Sequence, residues 1–253
     1  HRTVKKLFTD RGDGERVTVF EAHNEQFEAQ YIVDTIATLV ATSGVNPGDC
    51  AVMYRTNAQS RAIEEAFIRA NLPYRLVGAT RFYGRREIKD LIAYLRVIHN
   101  RDDSVSLNRI INTPPRGIGK ATLTALSDWA QQEGISVYRA ILRAREDLSS
   151  SPIKGKALAS LLGFAEMLQG WQEVAARGRL GDLLQLVLDE TRYRDYINDG
   201  TDQGEERVEN VEELLKLAAE YQDLDLTTFL EEVALVSEVD DLPEDVSVPT
   251  LLT

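Results

Sequence analysis

The run Thr113-Pro114-Pro115-Arg116-Gly117-Ile118-Gly119-Lys120-Ala121-Thr122 sets two glycines and two cations in a turn between helix-like segments. Glycine lets a backbone approach a phosphate closely, and the free amides and dipole of a helix start attract an anion. The same glycines equally suit a plain interhelical turn in which they serve packing, and composition leaves both readings open. A nucleoside-triphosphate loop is excluded, because Pro114 stands where the first glycine is required and Ala121, not Ser or Thr, follows Lys120. The dinucleotide fingerprint fails as well, since its third glycine position holds Thr122 and no strand precedes it.

Two further segments combine donors with useful positions. Tyr54-Arg55-Thr56-Asn57-Ala58-Gln59-Ser60-Arg61 lies where a strand-like run gives way to a helix-like one, the ligand-facing edge of open α/β sheets. Thr56 or Asn57 suits a helix cap, which leaves the Arg55 and Arg61 guanidinium groups for a phosphate or for plain surface. Between Gly78 and Asp90, Phe82 and Tyr83 alternate with Arg81, Arg85, Arg86 and Lys89. Rings beside cations suit a single strand of nucleic acid, which offers a base face and a charged linkage at each step. The alternative is that a ring packs inward and the cations cover a helix start. The carboxylates from Glu205 to Glu238 are too many and too regular to single out a catalytic pair, and they read as a solvated helix face.

The elements that must position these residues follow from hydrophobic periodicity. Arg16 to Glu21 alternates like a strand; Glu25 to Val40 carries Phe27, Tyr31, Ile32, Ile36 and Leu39 at helical spacing. Cys50 to Tyr54 is a second strand, Asn57 to Asn71 a helix with Ile63, Ala66, Phe67 and Ala70 in one stripe, and Tyr74 to Val77 a third strand. Arg86 to His99 is a helix with Ile88, Leu91, Ile92, Leu95 and Ile98 on one face. The alternation predicts a mainly parallel α/β sheet. Beyond Asn100 the strands stop, and Ser104 to Ile111, Ala121 to Gln132, Val137 to Ala144, Ile153 to Arg177, Leu180 to Glu190, Arg207 to Tyr221 and Thr227 to Ser237 read as helices. After the acidic Asp240 to Asp245 loop, Val246 to Thr253 turns extended again.

With 253 residues, 43% hydrophobic and 28% charged, the chain suits one large or two modest globular domains. Ile32 to Val40 is broken by Asp34, Thr35 and Thr38, and no apolar run has a membrane-spanning length of about 20 residues. The opening at His1, without a charged-then-apolar leader, reads as a cut end and gives secretion no support, so a cytoplasmic protein is expected. One cysteine, Cys50, and three scattered histidines make neither an internal disulfide nor a zinc site. Net charge is -12, but Asp189 to Asp245 alone carries -16, and Arg75 to Thr122 holds 10 basic against 4 acidic residues. The cations therefore concentrate where the turn motifs lie.

Taken together the segments resemble a superfamily 1 DNA helicase of the UvrD/PcrA/Rep type. The resemblance is carried by Ala51-Val52-Met53-Tyr54-Arg55-Thr56-Asn57-Ala58-Gln59-Ser60-Arg61, by Phe82-Tyr83-Gly84-Arg85-Arg86-Glu87-Ile88-Lys89-Asp90, by Arg109-Ile110-Ile111-Asn112 running into the glycine turn, and by Arg207-Val208-Glu209-Asn210-Val211-Glu212-Glu213-Leu214. It implies a partial RecA-like parallel sheet (residues 1–100), an inserted all-helical accessory domain with a helix-hairpin-helix-like turn (101–243, with joints near Asn100 and Pro243) and a return into the motor domain (244–253). It further implies ATP-driven 3'-to-5' movement, with Arg55, Thr56, Asn57 and Arg61 near the tracked strand and Arg85, Arg86 and Lys89 in the same groove. Thr113, Arg116, Gly117, Gly119, Lys120 and Thr122 are then expected at duplex DNA.

The family's nucleotide-binding motifs precede the segment that corresponds to His1 and its later motor motifs follow Thr253, so ATP and Mg2+ are expected in the parent protein and no cofactor in this chain. A fragment inactive alone is the expectation. Its expected partners are DNA, as single strand and duplex junction, the missing motor domain, and repair or replication proteins. Two alternatives stay open: a partner-binding and autoinhibitory module whose acidic half meets basic surfaces, and the helicase portion of a helicase-nuclease complex.

Overall fold

The Asn24 side chain accepts a hydrogen bond from the Phe27 N–H at 2.9 Å, which caps helix α1 (Glu25–Ser43), and Gly44 ends it in the left-handed region at φ 65. Strand β1 (Ala51–Met53), helix α2 (Ser60–Arg69) and strand β2 (Arg75–Val77) follow. Next come α3 (Arg86–His99), α4 (Ser104–Ile110), α5 (Lys120–Gln132), α6 (Val137–Glu146), α7 (Gly155–Ala175), α8 (Leu180–Thr191), α9 (Tyr193–Ile197), α10 (Asp202–Glu220) and α11 (Leu226–Ser237), and the chain returns in strand β3 (Thr250–Leu252). This computed structural model describes residues 10, 12, 14–176, 178–220, 225–237 and 247–252. The Asp240 to Asp245 loop and the joint at Pro243 lie outside the described residues, as do Val246 and Thr253, the two ends of the extended run expected there.

The fold is mixed α/β and mostly helical. Its sheet has three parallel strands in the order β1-β3-β2, with Ala51 and Arg75 both opposite Thr250 and with Met53 and Val77 both opposite Leu252. Because side chains alternate across a strand, Val52, Leu76 and Leu251 share one face, and they join Ala29, Val33, Ile36, Ile63, Ala66 and Phe67 in the smaller apolar core. On the other face Met53 is 77% and Val77 48% exposed.

A larger core joins α3 to the helices that follow it. Ten residues of α3 are buried, including every member of its predicted stripe, so it is the central element of the helical unit. Trp171 of α7 meets Tyr94 of α3 edge-on at 5.7 Å and Phe164 at 6.3 Å, and its Nε1 donates to Glu190 at 2.7 Å.

Two expectations need correction, and one helix was not expected. Residues 16–21 form no strand: Val17 and Val19 are 91% and 90% exposed, and the segment pairs with none of the three strands. Alternation signals a strand only where a neighbour supplies the ladder. Of the stripe predicted for α1, Ile36 is buried and Ile32 packs against the smaller core, but Ala29 and Val33 complete the buried face while Phe27 is 61% and Leu39 39% exposed. Helix α9, five residues long, has no counterpart in the periodicity.

Replacement of Trp171 by alanine should lower stability by about 3–5 kcal/mol, the usual cost of emptying a buried aromatic site. Urea unfolding read by circular dichroism checks it, and a loss below about 1 kcal/mol would mean that the site collapses without penalty.

Candidate nucleic-acid interface

At the carboxyl end of β1 the chain turns through a single 3-10 turn, Asn57–Gln59, into α2. The Gln59 Oε1 accepts from the N–H groups of Arg55 at 2.9 Å and Thr56 at 3.1 Å, which folds the turn on itself. Arg55 is exposed, Thr56 and Asn57 half-buried. Clefts of about 400 Å³, lined by Arg55, Gln59, Glu213 and Lys216 among others, and about 660 Å³, lined by Asn57, Arg86, Glu206 and Arg207 among others, flank it. The buried side-chain atoms without a hydrogen-bond partner among the described residues are Tyr54 Oη, Asn57 Oδ1, Arg61 Nη2 and Gln172 Oε1. Three of these four belong to this one motif, and orphaned polar atoms concentrate where a ligand or a rearrangement is to satisfy them.

Arg61 is 1% exposed. Its Nη1 donates to both Glu65 oxygens at 3.2 Å, and its Nε donates to Glu213 of α10 at 2.7 Å. Arg85, also buried, donates to the Thr80 carbonyl at 3.1 Å, to Ser60 Oγ at 2.9 Å and to Asn210 of α10 at 2.7 Å. Burial pushes the Arg85 pKa down. Neither arginine reaches the surface; both tie the α/β unit to α10. Arg86 and Lys89 are exposed, with the Arg86 guanidinium 5.6 Å from the Tyr196 ring centre and bonded to its hydroxyl. Phe82 is 1% exposed and the Tyr83 hydroxyl donates to Glu65 at 3.0 Å, so the rings are engaged inside the chain.

The seam also corrects the reading of the acidic helices. Glu206 accepts from the Asn57 amide at 3.0 Å, Asn210 and Glu213 hold the two buried arginines, Lys216 pairs with Glu25, and Glu220 accepts from Gln26 at 3.2 Å. These positions recur every three or four residues, so one polar face of α10 meets the α/β unit: Asn210 is buried and Glu213 half-buried there, while Glu206, Lys216 and Glu220 stay exposed. Sequence reasoning missed Glu206, Asn210 and Glu213; the signal was an asparagine beside Val211 and Leu214 in an otherwise apolar stripe. Behind them Glu64 accepts from Ser60 Oγ at 2.6 Å, Tyr74 Oη at 3.3 Å and the Phe82 N–H at 3.3 Å, and burial raises its pKa above 4.5.

The other candidate segment lies in the loop 111–119 between α4 and α5. Asn112 Oδ1 accepts from the N–H groups of Arg116 at 2.7 Å and Ile118 at 3.1 Å, and Gly117 supplies φ 76. Tyr94 Oη donates to the Thr113 carbonyl at 2.5 Å. Gly117, Gly119 and Lys120 are exposed, Thr122 is half-buried, and no side chain caps α5 at Gly119. The first amides of a 13-residue helix therefore face solvent beside a lysine. Arg116 turns the other way, into the protein, and is only half-exposed. A triphosphate does not fit here, because Ala121 offers no hydroxyl for a metal ion. Among the described residues no group of three or more His, Cys, Asp or Glu side chains is placed to hold a metal, and no helix is long and apolar enough to cross a membrane.

Residues 1–251 match the family described as the UvrD-like helicase C-terminal domain. The chain is 37% identical over 263 residues to the ATP-dependent DNA helicase PcrA of Leuconostoc citreum, an alignment covering 100% of this chain and 35% of that protein. It is 38% identical over 276 residues to the ATP-dependent DNA helicase UvrD1 of Mycobacterium tuberculosis (strain ATCC 25618 / H37Rv), again with 100% and 35% covered. Against PcrA of Bacillus subtilis (strain 168) it is 33% identical over 249 residues, covering 96% and 33%. The chain thus spans about a third of the length of these relatives.

Two outcomes are expected at the seam. Glu213→Ala leaves the buried Arg61 charge with Glu65 alone and its Nε–H unpaired, and should cost about 1–3 kcal/mol, whereas Lys216→Ala, at a half-exposed pair, should cost about 0–1 kcal/mol; no cost for Glu213→Ala in urea unfolding would contradict the burial of Arg61. Because the Glu64 pKa is raised on folding, the folded chain binds more protons than the unfolded one, and stability falls as pH rises from 4.5 through the raised value. Glu64→Gln should flatten that slope in thermal unfolding between pH 4.5 and 7.

Proposed function

Since the chain belongs to the UvrD-like helicase C-terminal domain family, we propose that it supplies the strand-gripping and duplex-docking parts of an ATP-dependent DNA helicase moving 3'-to-5'. The observation that carries this reading is the pairing of two donor sets in one protein. Arg55, Thr56 and Asn57 sit at the carboxyl end of a parallel sheet, and the amides of Gly119, Lys120 and Thr122 sit at an open helix start. Donors of both kinds recognise phosphate without reading sequence. Arg86 and Lys89 extend the first set, while Arg61 and Arg85 hold it in place from behind. Thr113 and Gly117 shape the second set, which acts as a helix-hairpin-helix-like turn.

In this reading residues 1–100 and 244–253 belong to a RecA-like motor domain and 101–243 to the accessory domain inserted in it. Two separate apolar cores support a division into two units, although α3, within residues 1–100, packs in the core of the helices that follow it. ATP and Mg2+ act elsewhere in the cytoplasmic parent protein, and this chain alone neither hydrolyses ATP nor unwinds DNA. A second reading, restraint of the motor by the accessory domain, draws support from the carboxylates of α10 resting on Asn57 and Arg61. Deleting the helical insert should then raise the ATPase or unwinding rate.

Fluorescence anisotropy with a single strand, a blunt duplex and a 3'-tailed duplex, each across a salt series, tests the main reading. Arg55→Ala should weaken single-strand binding and shift the salt slope by about 0.7, and Lys120→Ala should shift the duplex slope by about 0.9. Unchanged slopes and affinities in the natural full-length protein would refute the assignment.

A further inference from the structure

We propose that Arg116 is a positioning residue and not a phosphate ligand: it fastens the loop 111–119 to α3 and α7 and so aims the amino end of α5 at duplex DNA. The inference rests on the duplex-docking reading above and assigns a different task to the most conspicuous cation of that loop.

Both terminal nitrogens of the guanidinium are engaged inside the chain. Nη1 donates to the carbonyls of Ile110 at 2.9 Å and Pro114 at 3.1 Å, with Ile111 further off at 3.4 Å, and Nη2 donates to the Tyr94 hydroxyl. Ile110 ends α4 and Ile111 follows it, so the charge sits at the partly negative carbonyl end of that helix, where the Ile110 carbonyl also accepts from the Thr113 N–H at 3.0 Å. Its central carbon lies 5.0 Å from the ring centre of Phe164 and 5.9 Å from that of Tyr94. A phosphate could take these N–H groups only by releasing the end of α4.

The rest of the loop is referenced to the same point. Tyr94, 0% exposed, accepts from Arg116 and donates to Thr113, and burial pushes its pKa up to about 12, so the hydroxyl keeps its proton. Asn112 gathers the amides of Arg116 and Ile118 on one oxygen. What remains outside is Gly117, Gly119, Lys120 and the free amides of α5. Backbone amides have no rotamers of their own; their direction is the direction of the loop. Helix α3 carries this reference to the strand motif, since it starts at Arg86, beside the clasped Arg85, and reaches Tyr94 about 12 Å later.

The experiment is duplex and single-strand binding by the natural full-length protein across a salt series, with thermal unfolding of each variant. Arg116→Lys keeps the charge and loses the fork. It should weaken duplex binding about tenfold while leaving single-strand binding and the duplex salt slope unchanged. Tyr94→Phe, at a buried position no phosphate touches, should act in the same direction and guards against a folding failure of the first variant. If Arg116→Lys binds duplex normally and Arg116→Ala flattens the slope by about 0.9, Arg116 is a phosphate ligand and the proposal fails. A lower unfolding temperature with no split between duplex and single-strand affinity would likewise overturn it. Should Lys120→Ala leave duplex binding untouched, the docking reading itself falls; if Lys120→Ala acts while Arg116→Lys and Tyr94→Phe do not, only the positioning role is lost.

Discussion

Arg61 holds a full charge at 1% exposure, and a guanidinium so placed has to be answered by carboxylates brought to it. Glu65, one helical turn on, is local; Glu213 arrives from 152 residues away. That single requirement fixes the face and the register of α10. With Glu213 in place, Asn210 one turn earlier meets Arg85 and Glu87, and Glu206 one turn before that meets Asn57. The two apolar cores do not merge across this seam. Polar contacts with defined partners hold it, and such contacts specify an arrangement more strictly than apolar ones.

The strand motif and the glycine loop are therefore two ends of one assembly. Both proposed DNA contacts are presented by backbone turns, and buried or half-buried arginines tie both turns to the helices behind them. Asp90 adds a further tie, accepting from Arg109 of α4 at 2.7 Å and from the Tyr193 hydroxyl at 2.8 Å. Arg61, Arg85 and Arg116, three of the cations that the composition suggests for DNA, are engaged inside the chain, and in the proposed reading phosphate contact falls to amides, hydroxyls and the exposed Arg55, Arg86, Lys89 and Lys120.

Local features were legible in the sequence. The limits of α3 follow directly from its periodicity, and β1 and β2 sit within the short apolar runs predicted for them. The segment 16–21 misled because alternation reports which face is apolar, not whether a partner strand stands beside it. Helix α9 is shorter than two turns and has no period to detect. The direction of Arg116 was equally hidden: an arginine in a glycine turn reads the same whether it points to solvent or back to the carbonyls of α4. The contacts of Asn210 and Glu213 on α10 escaped for a third reason, since a row of glutamates shows its charge but not the arginines, more than a hundred residues earlier, that it will meet. Composition and spacing record what a residue can do, and long-range packing decides whether it is free to do it.

Strand β3 is the last strand in the chain and the middle strand of the sheet, and β1 and β2 touch it but not each other. During synthesis at about 5–20 residues per second, roughly 10–35 s pass between the emergence of β2 and that of β3. Two edge strands with unpaired amides wait through that interval while the helical unit, whose contacts are mostly nearer in sequence, is free to fold. The β1-β3-β2 ladder that presents Arg55 and Asn57 therefore closes only after the helix that braces it has emerged.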